Sequence, residues 1–399
     1  MKKTLAAVAV LGAFAGSALA ADVQLYGIVD TGLRYTHFDA DSSAAGYDAT
    51  DSFEMKSGQQ SGSRFGFKGT EDLGNGLTVG FILENQFNSD DGSLADDDHF
   101  FRREATLFLQ GGFGKVAFGR MGSINGGTSS WAKYGVLSAF GTSWDYTAQA
   151  GSWAIGGGMW DNMIAYETPD FAGFKVFAQY GMGNSVNDAS VENESSSDRY
   201  YAIGASYGNG PLNLYLAVDS TNYASWDGTK ATDTDDSLTV TFGGNYDFEV
   251  VKVFGGVQYF DEIKTSKLGC GTGMMAADEY NFHTGTGTTA DPYKSGFAGA
   301  MKGWSLGLSA SVPVAGGNVL VGAAYLDAEA ADSVEATKDS DEMSRWIVSA
   351  GYDYPLSKRT NVYGILTYAQ DSLEYSDSQY KDQDPTIFAA MIGLQIGRA

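Results

Sequence analysis

The feature that most constrains the fold of this chain is an alternation of apolar and polar residues that recurs in many short segments. Such alternation gives a β-strand one apolar and one polar face, because successive side chains point to opposite sides of a sheet. In the clearest example, 237–247, Leu238, Val240 and Phe242 share the apolar face. The same pattern recurs in 212–219 and 304–312. The chain is therefore predicted to consist of many antiparallel strands.

The connections between the predicted strands are alternately short and long. The short ones, such as 74–76 and 208–211, are rich in glycine and asparagine, which favour tight turns. Because antiparallel neighbours reverse direction at each connection, the short turns are expected at one end of the sheet and the long loops at the other. The long connections lie near 37–57, 88–98, 121–158, 182–198, 221–236, 261–300, 327–341 and 371–384.

Two all-β architectures fit this pattern, a soluble sandwich and a closed transmembrane barrel. The loops of a sandwich need not differ between its two ends, whereas a membrane barrel has short turns at one rim, long loops at the other and aromatic girdles. The chain contains 23 Tyr and 23 Phe, and no segment after the amino terminus has the apolar length of a membrane-spanning helix. A sheet in lipid must close on itself to satisfy its backbone groups. We therefore predict an all-β fold, a transmembrane antiparallel β-barrel of about sixteen strands around an aqueous channel.

The first twenty residues have the composition of a secretion signal. Lys2 and Lys3 precede an apolar run over 5–15, and 18–20 fits a small-x-small cleavage site. The run is too short to span a bilayer, which disfavours a membrane anchor. Residues 1–20 are predicted to be a cleaved signal peptide and 21–399 a single barrel domain.

Charge and cysteine content exclude several other classes of protein. The net charge of −24 disfavours nucleic acid as a partner. The single Cys270 excludes an intramolecular disulfide, and no pair of the three histidines has metal-ligand spacing, so neither a metal nor a cofactor is expected. Most acidic residues fall in the long connections, either as a vestibule that concentrates cations or as a means of solubility at an outer surface.

The stretch SRFGFKGTEDLGNGL at 63–77 carries charge in the middle of a predicted strand. Arg64 and Lys68 share one face, and Phe65 and Phe67 share the other. In a membrane barrel the charged face looks into the water-filled interior. Strand alternation predicts lumenal positions for Arg64, Lys68, Asp30, Arg34 and Arg102.

Four segments together resemble a known family. The stretch at 63–77, FRREATLFLQGGFGKVAFGR at 101–120, and the segments 21–35 and 161–180 are similar to strands of the general diffusion porins of Gram-negative outer membranes, of the β-proteobacterial type. The resemblance implies a channel in the outer membrane for passive diffusion of ions and small hydrophilic solutes. It also implies a homotrimer, contact with lipid and lipopolysaccharide, and a third long loop, 121–158, folded into the lumen.

The resemblance also implies a pore constriction in which wall arginines face the third loop. Arg64 and Arg120 match wall arginines, and Asp145 and Lys133 are the only acid and the only base in 121–158. Alternation does not support Arg120, which shares the parity of the outward Phe118. Alternation favours Arg102 as the lumenal residue, but the neighbouring Arg103 matches the family's Arg-x-Ala motif better.

Two other functions are open to such a chain. A barrel with long acidic loops can serve mainly as a surface adhesin or structural protein, although an inward Arg64 and a long third loop favour a pore. The pattern G-x-S-x-G at 204–208 is typical of a hydrolase nucleophile, but it ends a strand and has no histidine partner. The chain is therefore not expected to be an enzyme.

Overall fold

The computed structural model describes residues 23–39, 49–126, 128–141, 151–154, 158–183, 197–224, 235–265, 268, 299–334, 340–376 and 382–398. The predicted signal peptide 1–20 and Asp145 lie outside these residues. All strands belong to one antiparallel sheet whose first and last strands pair with each other, so that the sheet closes into a barrel.

The sheet has seventeen strand segments, numbered in chain order. They are β1 Gln24–Asp39, β2 Thr50–Ser57, β3 Arg64–Gly74, β4 Leu77–Gln86, β5 Glu104–Gly111, β6 Gly114–Gly122, β7 Met159–Glu167, β8 Phe174–Gly181, β9 Arg199–Asn209, β10 Leu212–Asn222, β11 Leu238–Asp247, β12 Lys252–Lys264, β13 Ala300–Val314, β14 Gly317–Ala330, β15 Glu342–Pro355, β16 Thr360–Glu374 and β17 Thr386–Arg398.

Two of these segments, β2 and β3, occupy one position in the barrel wall. The second half of β1 pairs with β2, and the first half pairs with β3. The wall therefore has sixteen positions, which confirms the predicted barrel. The sequence had assigned 50–57 to a long connection. It is a strand because the backbone resumes pairing with β1 beyond the interruption at 58–63.

The interruption at 58–63 turns toward the interior of the barrel. The backbone N–H groups of Gln60 and Ser61 donate to Asp30 Oδ2 at 2.8 and 2.7 Å. Ser63 Oγ donates to the backbone carbonyl of Asp30 at 3.0 Å. A buried aspartate of β1 thus holds the inward bend in place.

The alternation along each strand separates an apolar exterior from a polar interior. On β10 and β11, Leu216 and Phe242 are exposed on the outside, whereas Ala217 and Thr241 are buried on the inside. An outward apolar face is what a lipid environment requires of a barrel. No helix in the described part of the chain is long and apolar enough to cross a membrane.

The connections follow the predicted alternation of length. The turn between β3 and β4 has positive φ at Asn75 (53°) and Gly76 (75°), as a tight hairpin turn requires. All the short turns lie at one rim, and the long connections, including 87–103 and 331–341, begin at the other.

The third long connection, residues 123–158, is called here the inward loop. Its described residues, 123–126, 128–141, 151–154 and 158, fold inside the barrel, as predicted. Its single turn of 3-10 helix, Tyr134–Leu137, packs against Phe177 and Tyr215 of the wall. Phe140 reaches a separate cluster with Leu320, Tyr363, Ile365, Ala389 and Met391 on the far wall.

Candidate pore constriction

The inward loop leaves a cavity of about 690 Å³ between itself and the wall of the barrel. The wall on one side is formed by β1, β3, β4 and β5, with the inward bend 58–63 beside it. The lining residues that carry charge are Arg64, Lys68, Glu84, Arg103, Glu104 and Asp353.

Two arginines on this wall share one glutamate. Arg103 Nε lies 2.5 Å from Glu84 Oε1, and Arg64 Nε lies 3.6 Å from Glu84 Oε2. Arg103 also donates to Gln86 Oε1 at 2.9 Å. The shared carboxylate holds two guanidinium groups side by side at the cavity surface, where they would otherwise repel each other.

The third cation of the wall, Lys68, has no ion-pair partner among the residues that the structure describes. Its ammonium group lies 4.8 Å from the centre of the Tyr26 ring, which orients the side chain without occupying its N–H donors. Gly66 makes room for that ring, because a Cβ at position 66 would lie 2.6 Å from Tyr26 Cζ. Lys68 thus retains donors for a solute in the cavity.

The remaining acids of the cavity are held by neutral groups. Glu104 accepts hydrogen bonds from the backbone N–H and Oγ of Ser130 at 2.8 and 2.9 Å, and from Thr106 Oγ1 at 2.9 Å. Asp353 accepts from Asn361 Nδ2 at 2.6 Å and Gln60 Nε2 at 3.3 Å. Glu104 therefore fixes the inward loop to the wall.

The part of the inward loop that faces the cavity is uncharged in the described residues. It contributes Ser129, Ser130, Ala139, Phe140 and Gly141 to the lining. Among the described residues, the charges at the cavity surface therefore come from the barrel wall and the segment before β5. Asp145, the loop acid predicted at the constriction, lies outside the described residues, so its place there stays a prediction.

Buried hydrogen bonds hold the beginning of the inward loop. The backbone N–H of Ile124 donates to Gln179 Oε1 at 2.8 Å, and the side chain of Asn125 donates to Asp219. Tyr215 OH donates to Asn125 Oδ1 at 2.8 Å. These groups are buried, so the loop root is fixed in a definite place.

Further contacts hold the loop along its course. Ala139 N donates to Ser309 Oγ at 2.9 Å, and Arg345 Nη1 donates to the carbonyl of Gly151 at 2.7 Å. Gln258 bonds to both backbone groups of Ala154, at 2.7 and 3.0 Å. The loop is thereby attached to both halves of the barrel.

Of the predicted lumenal residues, Arg64 and Lys68 line the cavity. Asp30 is fully buried behind the inward bend, where Tyr363 OH donates to its Oδ1 at 2.5 Å. Arg34 is also buried and pairs with Glu54 at 2.8 Å. These last two charges support the wall and do not line the cavity.

Arg120 does not line the cavity, contrary to the prediction from the family resemblance. It shares its face of β6 with the exposed Phe118, and its Nη1 lies 2.6 Å from Asp161 Oδ1. The ladder between β6 and β7 shifts register between Gly119 and Met121, and Gly119 has a φ of 126°, so strand alternation is interrupted next to Arg120. Its Nε donates to the backbone carbonyl of Arg102 at 2.9 Å.

Arg102 is likewise absent from the cavity lining. The neighbouring Arg103 lines the cavity, at the position where Arg102 had been predicted. Strand β5 begins at Glu104, so the alternation that predicted an inward Arg102 does not extend to it. Its Nη1 donates to the carbonyl of Ala95 at 3.0 Å, in the connection before β5.

In that connection, His99 lies between two carboxylates, 3.1 Å from Asp96 Oδ2 and 3.3 Å from Asp161 Oδ2. Burial on its own would raise the pKa of Asp96, but hydrogen bonds from the N–H groups of Asp98 and His99 and from the His99 ring outweigh it and lower that pKa.

Lys133, the base predicted at the constriction, lies elsewhere on the inward loop. Its Nζ is 3.7 Å from Glu167 Oε2 and 4.8 Å from the centre of the Phe177 ring. It is not among the residues that line the cavity. Among the described residues no three histidine, cysteine or acidic side chains converge as a metal site would require.

The comparison with known proteins identifies the family. The sequence profile of the Gram-negative porins matches residues 6–373. The chain belongs to the Gram-negative porin family. It is an outer-membrane β-barrel that forms a channel for passive diffusion of ions and small hydrophilic solutes.

Individual relatives of this porin cover almost its whole length. An outer membrane porin protein of Bordetella pertussis is 34% identical and aligns over 95% of this chain and 97% of its own. Outer membrane porin protein 32 of Delftia acidovorans is 32% identical over 93% and 90%. Among solved structures, the anion-selective porin from Comamonas acidovorans is 26% identical, with a TM-score of 0.61 over 95% of this chain and all of that one.

Sequence reasoning missed three charged residues of the porin cavity, namely Glu84, Glu104 and Asp353, and it noted Arg103 only as a match to a family motif. Alternation along β4 was a usable signal, because it places Glu84 on the same face as Ile82, and both line the cavity. Asp353 gave no such signal, because only closure of the barrel brings β15 to the cavity.

Proposed function

We propose that this porin is a homotrimeric channel in which solutes pass through the cavity of about 690 Å³ and in which the wall of that cavity favours anions. The observation that carries the proposal is the group of three cations, Arg64, Lys68 and Arg103, opposite an uncharged stretch of the inward loop. In this proposal the chain has no catalytic role.

The balance of available groups supports the preference for anions. Both oxygens of Glu84 face arginines, and Glu104 is occupied by Ser130 and Thr106. Lys68 has free N–H donors, so a passing anion finds a partner on this wall more readily than a cation does. The Comamonas relative, which is described as anion-selective, agrees with this direction.

The acidic long loops at the entrance favour cations, in contrast to the cavity wall. Most acidic residues of the sequence lie in these connections, where they attract cations at low ionic strength. Salt screens exposed charges over about 8 Å at physiological concentration, whereas charges that line the narrow cavity act at close range. The selectivity is therefore expected to move from cations toward anions as salt increases.

Reversal potentials in KCl gradients across planar bilayers, at a low and a high mean concentration, test this prediction. Replacing Lys68 by Gln should lower the chloride-to-potassium permeability ratio at high salt by about twofold, because it removes the unpaired cation. Lys252→Gln, on a distant part of the wall, is the control. A cation preference that grew with salt, or an Arg64→Ala channel with unchanged conductance and selectivity, would contradict the proposal.

The trimer and the contact of the outer surface with lipid and lipopolysaccharide rest on the family resemblance and on the apolar exterior of the barrel. Chemical cross-linking in detergent should give a band of three chains that heating converts to one. A protein that cross-links only as a monomer in both detergent and outer-membrane vesicles would exclude the trimer.

A further inference from the structure

Three lysines converge on one glutamate on the short-turn side of the inward loop. Lys175 Nζ lies 2.8 Å from Glu167 Oε1, and Lys133 Nζ lies 3.7 Å from Glu167 Oε2. Lys115 is the ladder partner of Glu167 across β6 and β7. Lys115 and Lys175 each follow a short turn, so the group lies near the short-turn rim.

Aromatic rings hold two of these ammonium groups. Lys115 Nζ lies 4.4 Å from the centre of the Phe108 ring and 4.9 Å from that of Trp131. Lys133 lies over Phe177. A ring face attracts a cation without accepting a conventional hydrogen bond, so these contacts position the ammonium groups and leave their donors available.

The three lysines have more donors than the protein uses. They carry nine N–H groups. Among the described residues, Glu167 is the one ion-pair partner of Lys133 and Lys175, and Lys115 lies near Glu104 and Glu167 without an ion pair to either. The nearby carboxylates have other partners, since Glu104 accepts from Ser130 and Asp170 accepts the backbone N–H of Gly173 at 2.7 Å. One Lys–Glu pair would be enough to fix the loop, so two further lysines at this point need another explanation.

The group is also accessible to water. The side chains of Lys133 and Lys175 are 25% and 34% exposed. Lys133 follows Ser129 and Ser130, which line the cavity, by only a few residues of the inward loop. An anion that leaves the cavity toward the short-turn rim therefore meets these ammonium groups next.

We propose that Lys115, Lys133 and Lys175 form a binding site for a small oxyanion, a phosphate or a carboxylate group, on the short-turn side of the constriction. The inference rests on the proposed passage of solutes through the cavity. Charge-assisted hydrogen bonds from several ammonium groups suit an oxyanion, which offers acceptors in several directions. Glu167 occupies part of the site and competes with the incoming anion.

Inorganic phosphate is the probe, added at constant KCl to single channels of the full-length porin in planar bilayers. We expect a saturable decrease in conductance as phosphate occupies the site. Lys115→Gln and Lys175→Gln should each raise the half-saturating phosphate concentration about tenfold, the effect of losing one charged hydrogen bond. Glu167→Gln should lower that concentration, because it removes the competing carboxylate.

Lys252→Gln is the matched control, since Lys252 also follows a short turn and lies 5.2 Å from an aromatic centre, that of Phe254, but belongs to no lysine cluster. Equal phosphate sensitivity in all variants, or weaker binding in Glu167→Gln, would overturn the site. If a lysine variant does not insert into the bilayer, the half-saturating phosphate concentrations of Glu167→Gln and Lys252→Gln still test the site. If the proposed conduction path is wrong, Lys68→Gln and Arg64→Ala leave the conductance and selectivity in KCl unchanged. If only the oxyanion site is wrong, the difference between variants is missing when phosphate is added.

Discussion

At the scale of single residues, Glu84 determines how much positive charge the cavity presents. It contacts Arg64 and Arg103 together, at 3.6 and 2.5 Å, and so offsets the charge of the wall at its most basic point. The anion preference proposed for the cavity therefore depends on a carboxylate as much as on the arginines.

Replacing Glu84 by Gln leaves both guanidinium groups without their shared anion. We expect the chloride-to-potassium permeability ratio at high salt to increase about twofold, with a higher chloride conductance. Glu71→Gln, an exposed acid on the same hairpin, should change neither. Reversal potentials in KCl gradients measure the effect, and a shift of Glu84→Gln toward cations would refute this role.

Single-strand alternation was sufficient for some of these residues and insufficient for others. It predicted inward positions for Arg64 and Lys68, and both line the cavity, because β3 is regular from its first residue. It failed for Arg102, which precedes the start of β5, and the family resemblance failed for Arg120, which alternation had placed on the outer face. Position within a strand is readable from sequence, but the residue at which the strand begins depends on tertiary contacts.

At the scale of structural elements, the inward loop is held more firmly than its sequence indicates. The length of the third connection and the family resemblance predicted its course, but Asn125 gave no signal of its contacts with Asp219 and Tyr215. Those contacts are made by β10, which is remote in sequence, so they become visible only in the folded barrel. Likewise, the sequence did not reveal the interruption between β2 and β3.

Replacing Asn125 by Ala removes two buried hydrogen bonds from the loop root and leaves Asp219 with fewer donors. At about 1 kcal/mol for each bond, displaced positions of the loop should become at least tenfold more populated. We expect larger open-channel noise and a higher mean conductance in bilayer recordings. Asn222→Ala, near the end of the strand that carries Asp219, is the control. If Asn125→Ala changes neither the open-channel noise nor the mean conductance, the other contacts are sufficient to hold the loop in place.

At the scale of the whole molecule, one buried ion pair joins the inward loop to the far wall. Arg345 pairs with Asp371 through two contacts of 2.5 and 2.7 Å, and both side chains are almost fully buried. Arg345 also donates to Gly151 of the loop. The fold class and the strand number were predictable from sequence, but this link was not. Arg345 lies in a segment read only as a strand, and Asp371 lies at the start of a predicted long connection.

Replacing Arg345 by Met isolates the buried carboxylate of Asp371. Breaking such a pair typically costs about 3–5 kcal/mol, whereas replacing both partners by apolar residues costs much less. We expect thermal unfolding in detergent, followed by circular dichroism, at a clearly lower temperature for Arg345→Met. The double variant with Asp371→Leu should recover most of the loss. A double variant less stable than the single one would contradict this account.

The position of Phe140 has a consequence for the order of assembly. Part of its pocket is supplied by Ala389 and Met391 of β17, the last strand of the chain. The constriction is therefore incomplete until the carboxyl-terminal strand has joined β1. An assembly intermediate with an open seam would lack the narrow passage as well as the closed wall. The ability to discriminate between solutes is thus acquired in the final step of barrel closure.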